Sequence, residues 1–156
     1  MGTTANTDIA RDRIERSILI RAPRSRVWRA LTSAKEFGAW FRVELQGDFT
    51  AGERISGKVT YPGHEGTPFV AQVERMEPER LFSFRWPMGS DPEALELRNH
   101  TTLVEFQLED APQGTVLTVV ESGFEGLPAP RRLEAFRENS EGWAIQMENV
   151  RRHAEG

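Results

Sequence analysis

Residues 128–153, PAPRRLEAFRENSEGWAIQMENVRRH, determine how the rest of the chain must be arranged. Apolar or small side chains recur in this stretch at alternating steps of three and four residues, which is the spacing of one face of an α-helix. They are Leu133, Phe136, Ser140, Trp143, Met147, Val150 and, just after the stretch, Ala154. Nine of the other positions carry Arg or Glu, which favour water. The sequence therefore predicts a long amphipathic helix whose apolar face must be covered by another part of the chain.

The chain before this helix favours strands separated by turns. Alternating apolar and polar residues predict a first strand from Arg13, followed by a short helix over residues 23–31. A second short helix is predicted to follow at once, with Gly38 closing it. Gly- and Pro-containing turns or a longer loop then separate six strand candidates, at residues 43–49, 53–61, 68–76, 81–86, 101–109 and 115–121.

The short turns predict antiparallel neighbours, and the alternation within each strand predicts a sheet with one face in water. A curved antiparallel sheet wrapped around the C-terminal helix would bury both apolar surfaces, so the predicted fold class is α+β. Residues 1–12 are polar and predict a flexible N-terminal arm before a single domain at residues 13–154. Residues 87–100 predict a long, mobile polar loop.

Composition excludes several classes of function. The net charge of −4 and the isoelectric point near 5.5 argue against a nucleic-acid partner. The chain has no cysteine and no apolar stretch long enough to span a membrane, and the polar residues 1–12 do not have the pattern of a signal peptide, so a cytoplasmic location is expected. The three histidines, His64, His100 and His153, lack metal-ligand spacing, and no cofactor or metal is predicted.

Aromatic residues dominate the positions predicted to face inward. They either fill a core or, in part, line an apolar cavity that holds a small hydrophobic ligand. Ser140 interrupts the apolar stripe of the long helix, where it either fits against a bulky strand residue or leaves room for a ligand. The candidate ligand-binding residues are Trp40, Phe41, Phe69, Phe84, Trp86, Phe106, Glu121, Phe136, Asn139, Ser140 and Trp143.

Two polar residues among these candidates have competing interpretations. Glu121 shares a face with apolar residues of the last strand, and a buried carboxylate needs a partner. It is either a general base or ligand anchor, or a strand-end residue at the cavity mouth that is solvated or paired with an arginine such as Arg85 or Arg137. Asn139 lies beside the apolar stripe and either donates to a ligand or bonds to a loop backbone.

Several phrases carry a resemblance to a known family. They are RAPRSRVWRALT (21–32), FGAWF (37–41), YPG (61–63), EPERLFSFRW (77–86), VVESGF (119–124) and NSEGW (139–143). In this order they resemble the activator of heat-shock-protein-90 ATPase homologue 1-like family, within the START-like, SRPBCC or polyketide-cyclase superfamily. The resemblance covers about residues 13–153 and implies the helix-grip fold, with six or seven strands curled around the C-terminal helix and a cavity between them.

Members of this superfamily bind lipids, hormones or polyketides, and some catalyse cyclisation or hydrolysis. The leading prediction, which rests on the aromatic inner faces and the gap at Ser140, is that a small hydrophobic molecule binds between the sheet and the long helix. Trp40, Phe41 and the loop at residues 87–100 would gate the cavity. Two alternatives are a module that regulates the ATPase of a heat-shock-protein-90-type chaperone, and a cyclase or hydrolase with Glu121 as the base.

Overall fold

The structure, a computed structural model, describes residues 13–87, 101–127 and 129–156, with only the backbone described at residues 129–131. Its helices and strands follow the predicted order. They are β1 (Arg13–Ile20), α1 (Arg24–Thr32), α2 (Ala34–Phe41), β2 (Val43–Gln46), β3 (Arg54–Val59), β4 (Pro68–Glu77), β5 (Leu81–Pro87), β6 (Thr101–Ala111), β7 (Gly114–Ser122) and α3 (Ala129–Glu155). A single turn of 3₁₀-helix, Phe124–Gly126, connects β7 to α3.

The described strands form one antiparallel sheet of seven, in the order β1-β7-β6-β5-β4-β3-β2. Strands β2 to β6 each pair with the next strand in sequence, and β7 pairs with β1. Helices α1 and α2 carry the chain from one edge of the sheet to the other. The curved sheet and the long C-terminal helix confirm the predicted α+β helix-grip fold.

The hydrophobic core lies between the inner face of the sheet and the helices. Along α3, Trp143, Met147, Val150 and Ala154 are buried, as the spacing predicts. The same spacing predicts that Leu133 is buried, and this prediction is wrong, because Leu133 is 44% exposed. The C-terminal half of the helix therefore contributes most of its packing against the rest of the domain.

Helix α2 does not end where the sequence predicts. It continues through Gly38 to Phe41, and Arg42 ends it in the left-handed conformation at φ 69°. The N–H of Arg42 donates to the carbonyl oxygen of Gly38 at 2.9 Å. A Cβ at position 38 would lie 2.4 Å from the carbonyl oxygen of Val43. Glycine is therefore needed here for the close approach of β2, and not as a helix terminator.

The other limits agree with the predicted ones to within a few residues, except that β2 ends at Gln46 rather than at residue 49. Phe49 lies beyond that strand but is buried, with its ring centroid 5.0 Å from that of Phe82. The predicted N-terminal arm and all but the first residue of the predicted loop at 87–100 lie outside the described residues. Among the helices that are described, none is both long and apolar enough to cross a membrane.

Candidate functional site

Strand β7 places the side chain of Glu121 in the middle of the domain. Strand alternation puts it on the same face as Leu117 and Val119, and all three side chains are buried. Its register partners are Val104 on β6 and Ile14 on β1, so apolar residues flank it on both sides. Glu121 is completely inaccessible to solvent. A carboxyl group at such a position needs strong hydrogen-bond partners.

Four side chains supply those partners. Trp143 Nε1 donates to Oε1 of Glu121 at 2.8 Å, and Trp86 Nε1 donates to Oε2 at 2.8 Å. Asn139 Nδ2 lies 3.0 Å from both oxygens, and the Thr102 hydroxyl donates to Oε2 at 2.5 Å. Because indole and amide N–H groups can only donate, this arrangement suits the ionised carboxylate.

The four donors come from three different elements, and the fold explains why they meet. Trp86 and Thr102 are direct register partners on β5 and β6, and both face the interior. Asn139 and Trp143 are four residues apart on α3, so they share one face of the helix. The carboxylate on β7 therefore accepts hydrogen bonds from two other strands of the sheet, β5 and β6, and from the long helix.

The interpretation of Glu121 as a residue at the cavity mouth, solvated or paired with an arginine, is wrong. The carboxyl group is buried, and both Arg85 and Arg137 are exposed. Within the described part of the chain, Glu121 forms no salt bridge with either. Asn139 directs its amide N–H group at Glu121, a partner that the sequence did not indicate.

A pocket of about 180 Å³ opens beside this cluster, between α3, the end of α2 and the end of β5. It is lined by Phe41, Trp86, Glu138, Asn139, Gly142, Trp143 and Gln146. The rings of Trp86 and Trp143 are stacked, with centroids 5.8 Å apart and planes 23° apart. The ring of Phe41 lies 6.1 Å from that of Trp86. The carboxylate of Glu121 accepts hydrogen bonds from the two indoles behind the pocket wall and does not itself line the pocket.

The structure therefore divides the predicted ligand-binding residues into two groups. Phe41, Trp86, Asn139 and Trp143 line the pocket. The others do not: Trp40, Phe69, Phe84 and Phe106 are buried in the core, Glu121 lies behind the pocket wall, and Phe136 and Ser140 lie elsewhere on α3.

The residues outside the pocket have identifiable structural partners. The indole of Trp40 donates to the carbonyl oxygen of Ala30 at 2.8 Å, which joins α2 to α1. Ser140 faces β1, where its hydroxyl and its carbonyl oxygen each accept a hydrogen bond from the guanidinium of Arg16 at 3.0 Å. Phe136 packs at 5.5 Å, ring centroid to ring centroid, against Phe124 of the 3₁₀ turn.

The sequence prediction missed four residues of the site, although strand alternation or helical spacing could have indicated three of them. Thr102 shares the inward face of β6 with Val104 and Phe106, so a polar residue at that position could have been noticed. Gly142 and Gln146 follow Asn139 at helical spacing, on a strip beside the apolar stripe. Glu138 is exposed, and nothing in the sequence distinguishes it from any other solvent-facing helix residue.

A metal ion has no evident ligands here. No group of three or more His, Asp or Glu residues is suitably arranged in the part of the chain that the structure describes. The chemistry available at the pocket is therefore that of aromatic faces, two amide side chains and one carboxylate at its rim.

Comparison with known families agrees with this architecture. A family model described as "Activator of Hsp90 ATPase homolog 1-like protein" matches residues 21–155. The chain belongs to this family. The resemblance seen in the sequence phrases is thereby confirmed. A search of curated proteins found no significant match.

Solved structures show the same fold as this family member. Protein MLL2253 from Mesorhizobium loti is 23% identical, with a TM-score of 0.73, and the match covers 90% of this chain and 95% of that one. The Aha1 dimer from Colwellia psychrerythraea is 19% identical, with a TM-score of 0.67, and the match covers 92% and 96%. DynU16, a protein of the dynemicin biosynthetic locus, is 25% identical with a TM-score of 0.71, but this chain covers only 47% of it.

Proposed function

We propose that this protein binds a small, largely apolar molecule in the pocket between α3, Phe41 and Trp86. The observation that carries this proposal is a pocket of about 180 Å³ whose wall contains three aromatic side chains. Sites for drug-sized ligands are typically about 300–1,000 Å³ and combine apolar walls with a few polar groups. The ligand is therefore a compact molecule, smaller than a typical drug.

The walls of this pocket are held in place before any ligand arrives. The carboxylate of Glu121 fixes the indole N–H groups of Trp86 and Trp143. Gln146 donates through Nε2 to the carbonyl oxygen of Phe41 at 3.3 Å, which joins α3 to the end of α2. A site whose side chains are already ordered loses less conformational entropy on binding, so this rigidity favours affinity.

Gly142 offers a direct test, because a side chain added there extends into open space. A Cβ at this position meets no heavy atom within 4 Å, and the residue lines the pocket. Gly142→Leu should fill the pocket without disturbing the fold, since replacing a glycine inside a helix stabilises it by up to about 1 kcal/mol. Ala144→Leu is the matched control, because Ala144 lies on the same helix and is exposed.

The measurement is NMR titration with a set of compact neutral and charged fragments, read at the indole N–H signals of Trp86 and Trp143. Native mass spectrometry of the purified protein would detect a molecule that co-purifies. We expect fragments to shift the indole signals in the wild type and in Ala144→Leu, and not in Gly142→Leu. Absence of any fragment binding to the wild type, or equal binding to Gly142→Leu, would contradict the proposal.

The enzymatic alternative has less support from the site. A general base must reach the proton that it removes, directly or through one water. Glu121 does not line the pocket, and both of its oxygens accept hydrogen bonds from the protein. The chaperone-regulating alternative is supported by family membership alone.

A further inference from the structure

From the charges around the pocket we infer that its ligand is a small organic cation, of the substituted-ammonium class. This inference rests on the proposed function and adds the charge of the ligand to it. Three features support it: the aromatic wall, the sign of the charge at the rim, and the carboxylate behind the indoles.

The aromatic wall is the first feature. Phe41, Trp86 and Trp143 are neighbours, with Trp86 at the centre of the group, 5.8 Å from Trp143 and 6.1 Å from Phe41 by ring centroids. Ring faces attract cations, and indole does so most strongly. A single such contact improves affinity by roughly twofold to thirtyfold, depending on how completely water is removed. Groups of aromatic rings are the usual way in which proteins bind alkylammonium groups.

The charge at the rim is the second feature. Among the described residues that line the pocket, Glu138 is the only one with an ionisable side chain, and it is a carboxylate. Arg137 is adjacent in sequence but is exposed and does not line the pocket. An anionic ligand would therefore meet a like charge with no described cation in the lining to balance it.

The buried carboxylate is the third feature. Glu121 accepts a hydrogen bond of 2.8 Å from each indole N–H, so its negative charge lies directly behind the two rings. Hydrogen bonds to a charged acceptor polarise the donor group, which makes the indole rings richer in electrons. Because the carboxylate is fully buried, its field is screened less than that of a surface charge. Both effects favour a cation in the pocket.

The test compares choline with 3,3-dimethyl-1-butanol, which has nearly the same shape but replaces the ammonium nitrogen by carbon. Binding to the full chain is measured by NMR at the indole signals of Trp86 and Trp143. We expect choline to bind at least about tenfold more tightly than the alcohol, which corresponds to two or more cation–π contacts. Equal affinity for the two compounds, or binding of the alcohol alone, would overturn the inference, as would the absence of choline binding.

Two charge-changing variants separate a local effect from a general one. Glu138→Gln should weaken choline binding by about twofold to fivefold, since the charge is at the solvent-exposed rim, and leave the alcohol unaffected. Glu141→Gln makes the same change in net charge at an exposed position on α3 outside the pocket, and it should leave both affinities unchanged. Equal weakening of choline binding by both variants would show a non-specific attraction and contradict the inference.

Gly142→Leu distinguishes a failure of the inference from a failure of the proposed function. If neutral fragments bind, choline does not, and Gly142→Leu abolishes their binding, the pocket is a ligand site and only the inferred charge is wrong. If choline binds equally well to Gly142→Leu, the cation is bound elsewhere, and the inference is again wrong.

Discussion

Replacing Glu121 by Gln tests whether the buried carboxylate organises the pocket wall. The change keeps the size of the side chain but converts one carboxylate oxygen into an NH₂ group. In either orientation of the new amide, that NH₂ group faces an indole N–H, of Trp86 or of Trp143. Two donors cannot bond to each other, so at least one indole N–H inside the domain loses its acceptor.

The size of the effect follows from the bonds involved. A buried donor without an acceptor costs about 1–3 kcal/mol, and each hydrogen bond to a charged group contributes about 1.5–3 kcal/mol. Removing the charge also relieves the cost of burying it, which offsets part of the loss. We expect Glu121→Gln to lower the free energy of unfolding by about 3 kcal/mol, or the melting temperature by roughly 6–12 °C.

Urea unfolding followed by far-UV circular dichroism measures this change. Glu109→Gln is the control, because Glu109 is an exposed carboxylate on the neighbouring strand β6, and its replacement should change the free energy of unfolding by no more than about 0.5 kcal/mol. In folded Glu121→Gln, the NMR signal of one indole N–H, from Trp86 or Trp143, should move markedly. Unfolding free energies that agree within about 0.5 kcal/mol for the variant and the wild type would refute the reasoning.

Two further predictions concern the rest of the fold. Burial raises the pKa of Glu36, but hydrogen bonds from Arg26 and His153, with nearby arginine charge, outweigh it and lower the pKa below 4.5. Stabilisation from this cluster is present above that value, so the difference in urea stability between wild type and Glu36→Gln should shrink as the pH falls below about 4.5. A difference that stays constant below that pH would contradict this. Gly57→Ala should destabilise the domain by about 2 kcal/mol, because its Cβ would lie 2.1 Å from a main-chain oxygen of β2. Gly126→Ala, whose Cβ meets nothing within 4 Å, should leave the urea midpoint nearly unchanged, and equal effects of the two alanines would be inconsistent with this explanation.

Local patterns in the sequence were sufficient to predict the fold. Period-two alternation identified the strands, and the three-and-four spacing identified the long helix, because both depend on which face of one element is buried. The end of α2 was predicted wrongly for a related reason. Glycine is a residue type that often terminates helices. The role of Gly38 depends instead on the close approach of Val43, which is a contact between elements.

The site was predictable only in part, because it consists of contacts between distant elements. Alternation correctly placed Glu121 on an inward face, yet its partners lie at positions 86, 102, 139 and 143 and share no local pattern with it. The helical spacing placed Ser140 on the apolar stripe, but could not show that Arg16 of β1 would reach it. Such pairings depend on strand order and helix position, which one element's periodicity does not contain.

The strand order determines which strands could pair with a strand from another copy of this protein. An exposed strand at the edge of a sheet can add a strand from another chain, and proteins limit this with short or charged edges. One edge here is β2, which is only four residues long. The other is β1, which presents Arg13 and Glu15 to solvent and whose Arg16 is bonded to the long helix. Each described edge therefore has a feature that disfavours strand addition: shortness in β2 and exposed charge in β1.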